Sequence, residues 1–391
     1  MSRIALAADR IFDGEQLAGP GVVLVDDGLI ADVVAAAPSD WPVREVRGTI
    51  LPGLIDAHVH LCADSGPGAL ERAAGATEEA LFATIEQSLQ VQLAAGVTTV
   101  RDLGDYLGAV LTWRTGAVPG LPHVVAAGAP ITSVGGHCWY LGGEVDGVEQ
   151  IRAAVRQRAA MGADIVKVMA SGGALTPGTD TMRPQFTHEV LRAAVAEAHD
   201  QGLPITVHAH AQSAVRQALA AGVDGIEHCT CLTPEGVRID GDLVADLAAA
   251  GIAVSPTLGS DPSIVVPPEV LEMVAKAGIR EAALQQAARR LADGGVRIVA
   301  GSDGGIGPAK PHGLLPATLA EYVTSGIPAV AALTAATSTA ADVLGLRKGR
   351  IRSGYDADLL VVRADPTEDI TTLADPIAIF LGGHPVEIEQ S

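Results

Sequence analysis

PITVHAHAQSAVRQALAAGVDGIEHC, residues 204–229, contains one whole β–α–β unit. Ile205, Val207 and Ala209 alternate with Thr206, His208 and His210, which is the two-residue period of a strand. The Ala-rich segment 213–221 follows helical period, Gly222 is placed to end that helix, and GIEHC at 225–229 begins the next strand. Outward from this unit, the alternation of short β-rich runs with Ala-rich helical segments extends from about residue 97 to 303. Strands are expected at 54–60, 98–103, 123–131, 164–170, 204–211, 225–229, 253–258 and 298–303. Helices are expected at 77–95, 148–161, 187–201, 213–221, 242–250 and 268–293, several closed by Gly96, Gly162, Gly202, Gly222 and Gly251. The pattern admits a barrel or a doubly wound α/β sheet, and eight strands favour a closed (β/α)8 TIM barrel. The Pro- and Gly-bearing segments 104–122 and 258–268 are expected as long loops that wall or cover a site.

Both chain ends read differently, as alternating β with turns: GVVLV at 21–25 before DDG, and 357–363 after the barrel. The expectation is that residues 1–52 and 345–391 form one composite β-sandwich beside a barrel of residues 53–344. Apolar residues make up 48% of the 391 positions but aromatics only 3%, so Ala, Val, Leu and Ile must fill the core. The formal charge of −20 would repel nucleic acid and anionic membrane, which excludes both as partners. Cys62, Cys138, Cys229 and Cys231 lack paired C-x-x-C spacing, so neither a zinc finger nor a disulfide framework is indicated. Reduced thiols fit a cytoplasmic location. Asp9, Arg10 and Asp13 precede any long apolar run, which argues against a signal peptide, and no uncharged stretch reaches the ~20 apolar residues of a membrane span. A small-molecule substrate is the expected partner, and a homo-oligomer is compatible with these numbers.

His58 and His60 stand two apart on the first barrel strand, so both imidazoles share a face and can share a metal. His208 and His210 repeat that spacing on the fifth strand, and His228 ends the sixth. Lys167, in DIVKVMA at 164–170, is in register with Ile165 and Met169 and so falls on an inward face. An unpaired buried ammonium costs several kcal/mol, so this lysine must be neutralised, paired, modified, or snorkelling at the strand end. Carbamate formation with carbon dioxide would turn it into a bridging carboxylate. Asp303, in AGSDGG at 300–305, reads either as a turn or capping aspartate or as a metal ligand and general base. Ligands from separate strands converge only if all lie at the C-terminal rim, where barrel active sites are built.

These residues resemble the amidohydrolase superfamily, in its prolidase-like and imidazolonepropionase-like branch, over essentially the whole chain. The resemblance rests on LPGLIDAHVH at 51–60, VKVMASGG at 166–173, VHAHA at 207–211, IEH at 226–228, GSD at 301–303 and GRIRSGYDADLLVV at 349–362. It implies two divalent ions, zinc the expected metal, with His58, His60 and Asp303 at one, His208 and His228 at the other, and carboxylated Lys167 between them. It also implies attack by a metal-bridging hydroxide on an amide carbonyl, with Asp303 moving the proton to the leaving nitrogen. By the same resemblance, His137 in GGH at 135–137 polarises the substrate carbonyl. Some dipeptide-cleaving relatives carry a substrate-binding tyrosine where this chain has His210, so His210 is read as a substrate contact that could replace or supplement His208 at the metal. Tyr140, with Trp139 and His312, is expected on the pocket wall. Arg101 is read as meeting a substrate carboxylate or pairing with Asp102 or Asp105. The substrate implied is a dipeptide, an N-acyl amino acid or a related small amide; a cyclic amide or deaminase substrate is the alternative. A lactone or ester substrate, or a non-catalytic scaffold, ranks lower.

Overall fold

The structure, a computed structural model, describes residues 3–116, 118–264, 275 and 280–387. The chain begins with strands β1 (Arg3–Phe12), β2 (Gly21–Asp26), β3 (Leu29–Val34) and β4 (Val43–Pro52). Asp27 and Gly28, at φ 48° and 84°, make the tight turn of the β2–β3 hairpin. Beside the short strands Thr132–Ser133, Glu144–Val145 and Gly236–Val237, eight strands of the parallel ladders follow among the described residues: β5 (Leu54–Val59), β6 (Val97–Asp102), β7 (His123–Ala126), β8 (Val166–Met169), β9 (Ile205–Ala211), β10 (Gly225–Thr233), β11 (Ala253–Ser255) and β12 (Arg297–Ile298). The tail adds β13 (Leu359–Val362), β14 (Ala378–Leu381) and β15 (His384–Pro385).

The two ends pair in one sheet, in the order β15-β14-β13-β4-β1-β2-β3, with the short strand Leu17–Ala18 on β1. Strand β4 lies between them, parallel to β1 and antiparallel to β13. Alternation along β1 sends Leu6 and Ala8 to a buried face shared with Ile50, Leu359, Val361 and Phe380, while Ala5 faces Val22, Leu24 and Trp41 on the other side. Where two packed sheets were expected, the ladders run along a single path. A register shift between Ala8 and Arg10 places Gly48 in a bulge at φ +119°, its N–H donating to Asp9 Oδ2. A Cβ there would lie 2.2 Å from the Val362 carbonyl oxygen. Gly48→Ala is therefore expected to destabilise the protein by on the order of 2 kcal/mol, read as a lowered denaturation midpoint with an unchanged slope.

In the middle of the chain the regular parallel ladders form a three-stranded sheet, β5-β6-β7, and a five-stranded path, β8-β9-β10-β11-β12. Isolated parallel bridges join the two arcs on both flanks, Ile131 to Val168 and Val59 to Gly304. Around the bridges, Ile131 N–H donates to Lys167 O at 2.8 Å and Asp303 N–H to His58 O at 2.8 Å. The expected strands at 123–131 and 298–303 are regular only over β7 and β12; beyond them Gly128 and Asp303 take left-handed φ values of 70° and 60°.

Helices Glu78–Ala94, Gly147–Ala160, His188–Asp200, Gln212–Ala221 and Gly241–Ala249 lie where helical period places them. Of the helix expected at 268–293, Glu281–Asp293 is helical and begins after an extended Arg280, which interrupts the expected run; residues 265–274 and 276–279 lie outside the described residues, as does the end of the loop expected at 258–268. The loop expected at 104–122 contains a helix, Ala109–Arg114. Its start is held by Asp105, whose carboxylate accepts from Gly108 N–H at 2.7 Å and Val110 N–H at 2.8 Å. One face of the parallel strands, with Val166, Val168, Val207, Ile226 and Val254, packs under small helix residues such as Ala194, Ala198 and Ala214. The opposite face carries buried His58, Arg101, Lys167, Thr206 and Glu227. Apolar side chains thus fill the layer between strands and helices, and polar ones fill the centre. No helix among the described residues is long and apolar enough to cross a membrane.

Candidate metal centre

The imidazoles of His58, His60, His208, His210 and His228 meet at the C-terminal ends of β5, β9 and β10, within 4.5–5.3 Å of their neighbours between ring centroids. Two donor groups result, His58 with His60 and Asp303, and His208 with His210 and His228, each with ligand atoms within 4.8 Å of one another. Asp303 Oδ1 lies 3.3 Å from Nε2 of both His58 and His60. Lys167 is buried on the same interior face. Burial lowers its amine from 10.5 to about 8.

Each of these rings has one nitrogen engaged by an outer partner. His58 Nδ1 contacts Glu227 Oε2 at 2.9 Å, His60 Nδ1 contacts Gly104 O at 2.8 Å, and His208 Nε2 contacts Gly172 O at 3.2 Å. A carboxylate or carbonyl can only accept, so each ring donates outward and presents its other nitrogen, with a lone pair, to the centre. His228 Nδ1 and His210 Nδ1 are held by Thr257 Oγ1 at 2.7 Å and Thr230 Oγ1 at 2.8 Å. Burial pushes the His58 imidazole down to about 4, which favours the neutral ligand form. Burial works to raise the Asp303 carboxyl, but the imidazoles of His58 and His60 outweigh it and hold the group well below the usual carboxylate range. Burial works against the charged His60 imidazole, but Asp303 and Asp102 outweigh it and raise the group. Imidazoles, an ionised carboxylate and a buried amine form a donor set that fits divalent cations.

Glu227, beside the histidine singled out by sequence, is the central supporting residue that sequence reading missed. It accepts from His58 Nδ1, from Arg101 Nη2 at 2.9 Å and from Thr206 Oγ1 at 2.6 Å. Burial opposes its ionisation, yet Arg101 and His58 prevail and bring the carboxyl down to about 2. Glu227 and His228 both reach the centre because His228 sits at φ 67°, where strict alternation would send neighbours to opposite faces. Arg101 accordingly pairs with Glu227 and donates to the Ala57 carbonyl, where sequence had offered Asp102 or Asp105 as the ion-pair partner. The one available sequence signal was an acidic residue on a strand whose other inward positions are spoken for.

His137 is buried and packs 4.6 Å from His208 between ring centroids. Thr176 Oγ1 accepts from Cys138 N–H at 3.1 Å, so its own proton is free for His137 Nδ1, 2.7 Å away. A hydroxyl donating to Nδ1 would leave the proton of the neutral ring on Nε2; burial takes this imidazole down to about 3. Tyr140 lines an adjoining cavity of about 560 Å³ with Leu70, Glu71, Leu175, Thr176 and Ile306. Trp139 is 47% exposed, and His312 turns Nε2 onto the Ala63 carbonyl, so neither is placed in that wall. All four cysteines are buried and unpaired.

Parallel strands under a layer of helices, with chemistry at their C-terminal ends, place the chain among α/β proteins of the TIM-barrel type. The chain belongs to the amidohydrolase family, whose profile matches residues 49–386. It is similar to an ochratoxinase of Aspergillus niger, 28% identical over 94% of this chain and 82% of that protein. It is also similar to an uncharacterised protein of Mycobacterium bovis, 28% identical over 92% of this chain and 90% of that one. Among solved structures, a Xaa-Pro dipeptidase with bound methionine superposes with TM-score 0.84 at 28% identity, covering 99% of this chain and all of the other. A prolidase complexed with N-methylphosphonate-L-proline gives TM-score 0.84 at 26% identity, again over 99% of this chain and all of the other. Prolidase-like amidohydrolases are thus its structural neighbours, and hydrolysis of amide bonds is the activity these findings support.

Proposed function

We propose that this protein is a cytoplasmic, two-metal hydrolase of small amides, with dipeptides and N-acyl amino acids the leading substrate class. In this reading the two parallel arcs close as a (β/α)8 barrel over residues 53–344, and residues 1–52 and 345–391 form a module beside it. His58, His60 and Asp303 would hold one divalent ion, His208 and His228 the other, and Lys167, as its carbamate, would bridge them. Zinc is the ion that imidazole-rich donors favour. When bound, the metals would activate water at neutral pH and polarise the scissile carbonyl.

The chain's own residues do the remaining work. His137, beside His208 and Thr176, would donate from its ring to the substrate carbonyl oxygen. Asp303, ionised, takes a proton at Oδ2, the oxygen turned away from His58 and His60 Nε2, and returns it to the leaving nitrogen. The cavity beside Tyr140 and Thr176 receives the substrate. The supporting observation is the outward anchoring of every clustered imidazole, which leaves their remaining nitrogens converging on two points. Similarity to a Xaa-Pro dipeptidase and a prolidase supports the dipeptide arm, and similarity to an ochratoxinase supports an amide linkage.

The test is a screen of dipeptides, N-acyl amino acids, cyclic imides and lactones with zinc-loaded protein. Turnover is expected in the first two classes, lost on chelation and regained with zinc. Turnover confined to cyclic imides or lactones, or persisting after the metal is stripped, would refute the reading.

A further inference from the structure

We propose that His210 is a third imidazole ligand to the ion held by His208 and His228, so that one of the two sites is built from three histidines. The inference rests on the two-metal reading and assigns His210 to the metal as a supplement to His208, where sequence had left it between substrate and metal. Nitrogens of the three rings lie within 4.8 Å of one another. His210 stands edge-on to His208, with centroids 4.5 Å apart at 90°, and stacks on His228 at 4.8 Å and 23°. Its Nδ1 is engaged by Thr230 Oγ1 and its backbone N–H donates to Ser171 Oγ at 2.9 Å, so the ring is fixed with Nε2 free for the cluster. An outer hydroxyl on one nitrogen with the other directed inward is the arrangement that His228 also has with Thr257.

The backbone of β10 is distorted in a way that builds this arrangement. Pairing with β9 jumps from Ala209–His228 to Ala211–Leu232, and His228, Cys229 and Cys231 all take left-handed φ values of 67°, 48° and 53°. Such conformations in non-glycine residues are strained and persist where surrounding structure holds them. The detour brings buried Thr230 against the His210 ring while keeping His228 beside it. The two sites then differ in charge: beside the shared Lys167 carbamate, Asp303 contributes a carboxylate to one, and imidazoles complete the other. The three-histidine ion, sharing only the Lys167 carbamate, would keep more of its positive charge.

Two measurements decide the matter. Anomalous difference maps of zinc-loaded crystals are expected to show a peak about 2.1 Å from His210 Nε2 as well as from His208 and His228. A peak bound by His208 and His228 with His210 more than about 3 Å away would overturn the assignment. In solution, His210→Gln is expected to bind the second equivalent of cobalt(II) on the order of 100-fold more weakly, with an altered visible absorption spectrum. Unchanged stoichiometry, affinity and spectrum would also overturn it. Wild-type protein that binds no metal would defeat the two-metal reading itself, whereas two tightly held ions that ignore His210 would defeat this inference alone.

Discussion

Lys167→Met is expected to yield a metal-free protein that resists unfolding better than the parent, yet one that cannot turn over substrate when zinc is supplied. Lys167 is 2% exposed, and among the described residues no carboxylate lies within ion-pair distance of its Nζ. Burial lowers the amine from 10.5 to about 8, so in the metal-free fold its protonated form is penalised relative to the unfolded chain. At ~1.4 kcal/mol per pKa unit the penalty is on the order of 3 kcal/mol. It is fully present below pH 8. Between about 8 and 10.5 the unfolded chain holds the proton and the folded one does not, so stability of the parent rises with pH. Methionine has similar length and no charge, so its advantage in urea should be greatest near neutrality and shrink across that window. With the bridging group gone, metal affinity and turnover should fall by more than the ~100-fold typical of losing an outer-shell partner. A variant that is less stable when metal-free, or still active with zinc, would make Lys167 a structural residue only.

Glu227→Gln carries the second large effect, and it acts on fold and site together. The side chain receives three donors, from His58, Arg101 and Thr206. Glutamine keeps the shape, removes the charge and turns one acceptor into a donor, so at least one of the three must go unmet. Arg101 would then be buried without its counter-ion, which typically costs about 3–5 kcal/mol. His58 would lose the partner that sets its tautomer, and metal affinity should drop by about 10–100-fold. Adding Arg101→Gln to Glu227→Gln should recover part of the stability but none of the metal affinity. If the two stability losses simply add, the pair is not coupled and this account of the centre fails.

The parts of this centre that follow from local period could be read from sequence. His58 with His60, and His208 with His210, share strand faces by their spacing, and Lys167 stands out because its register neighbours are apolar. Other parts depend on partners remote in the chain or on a broken period. Arg101 meets Glu227 across 126 positions, a pairing no local pattern contains. Glu227 was hidden by the left-handed turn at His228, since alternation assigns adjacent residues to opposite sides. Thr176, Thr230 and Thr257 look like any strand or loop threonine until a ring is found against each hydroxyl. The helix Ala109–Arg114 was masked by glycines that read as loop, whereas Asp105 caps it through its carboxylate.

Strand β4 draws one flank from the first residues of the chain and the other from residues 359–362. During synthesis the N-terminal strands therefore wait, with an unpaired edge along Thr49 to Pro52, while some three hundred residues of intervening chain emerge. Closing that edge last would clasp the region that carries the candidate metal centre between its own beginning and end. Ordering of the tail should accordingly be a late event in folding, and chains cut short before it should present a β edge open to aggregation.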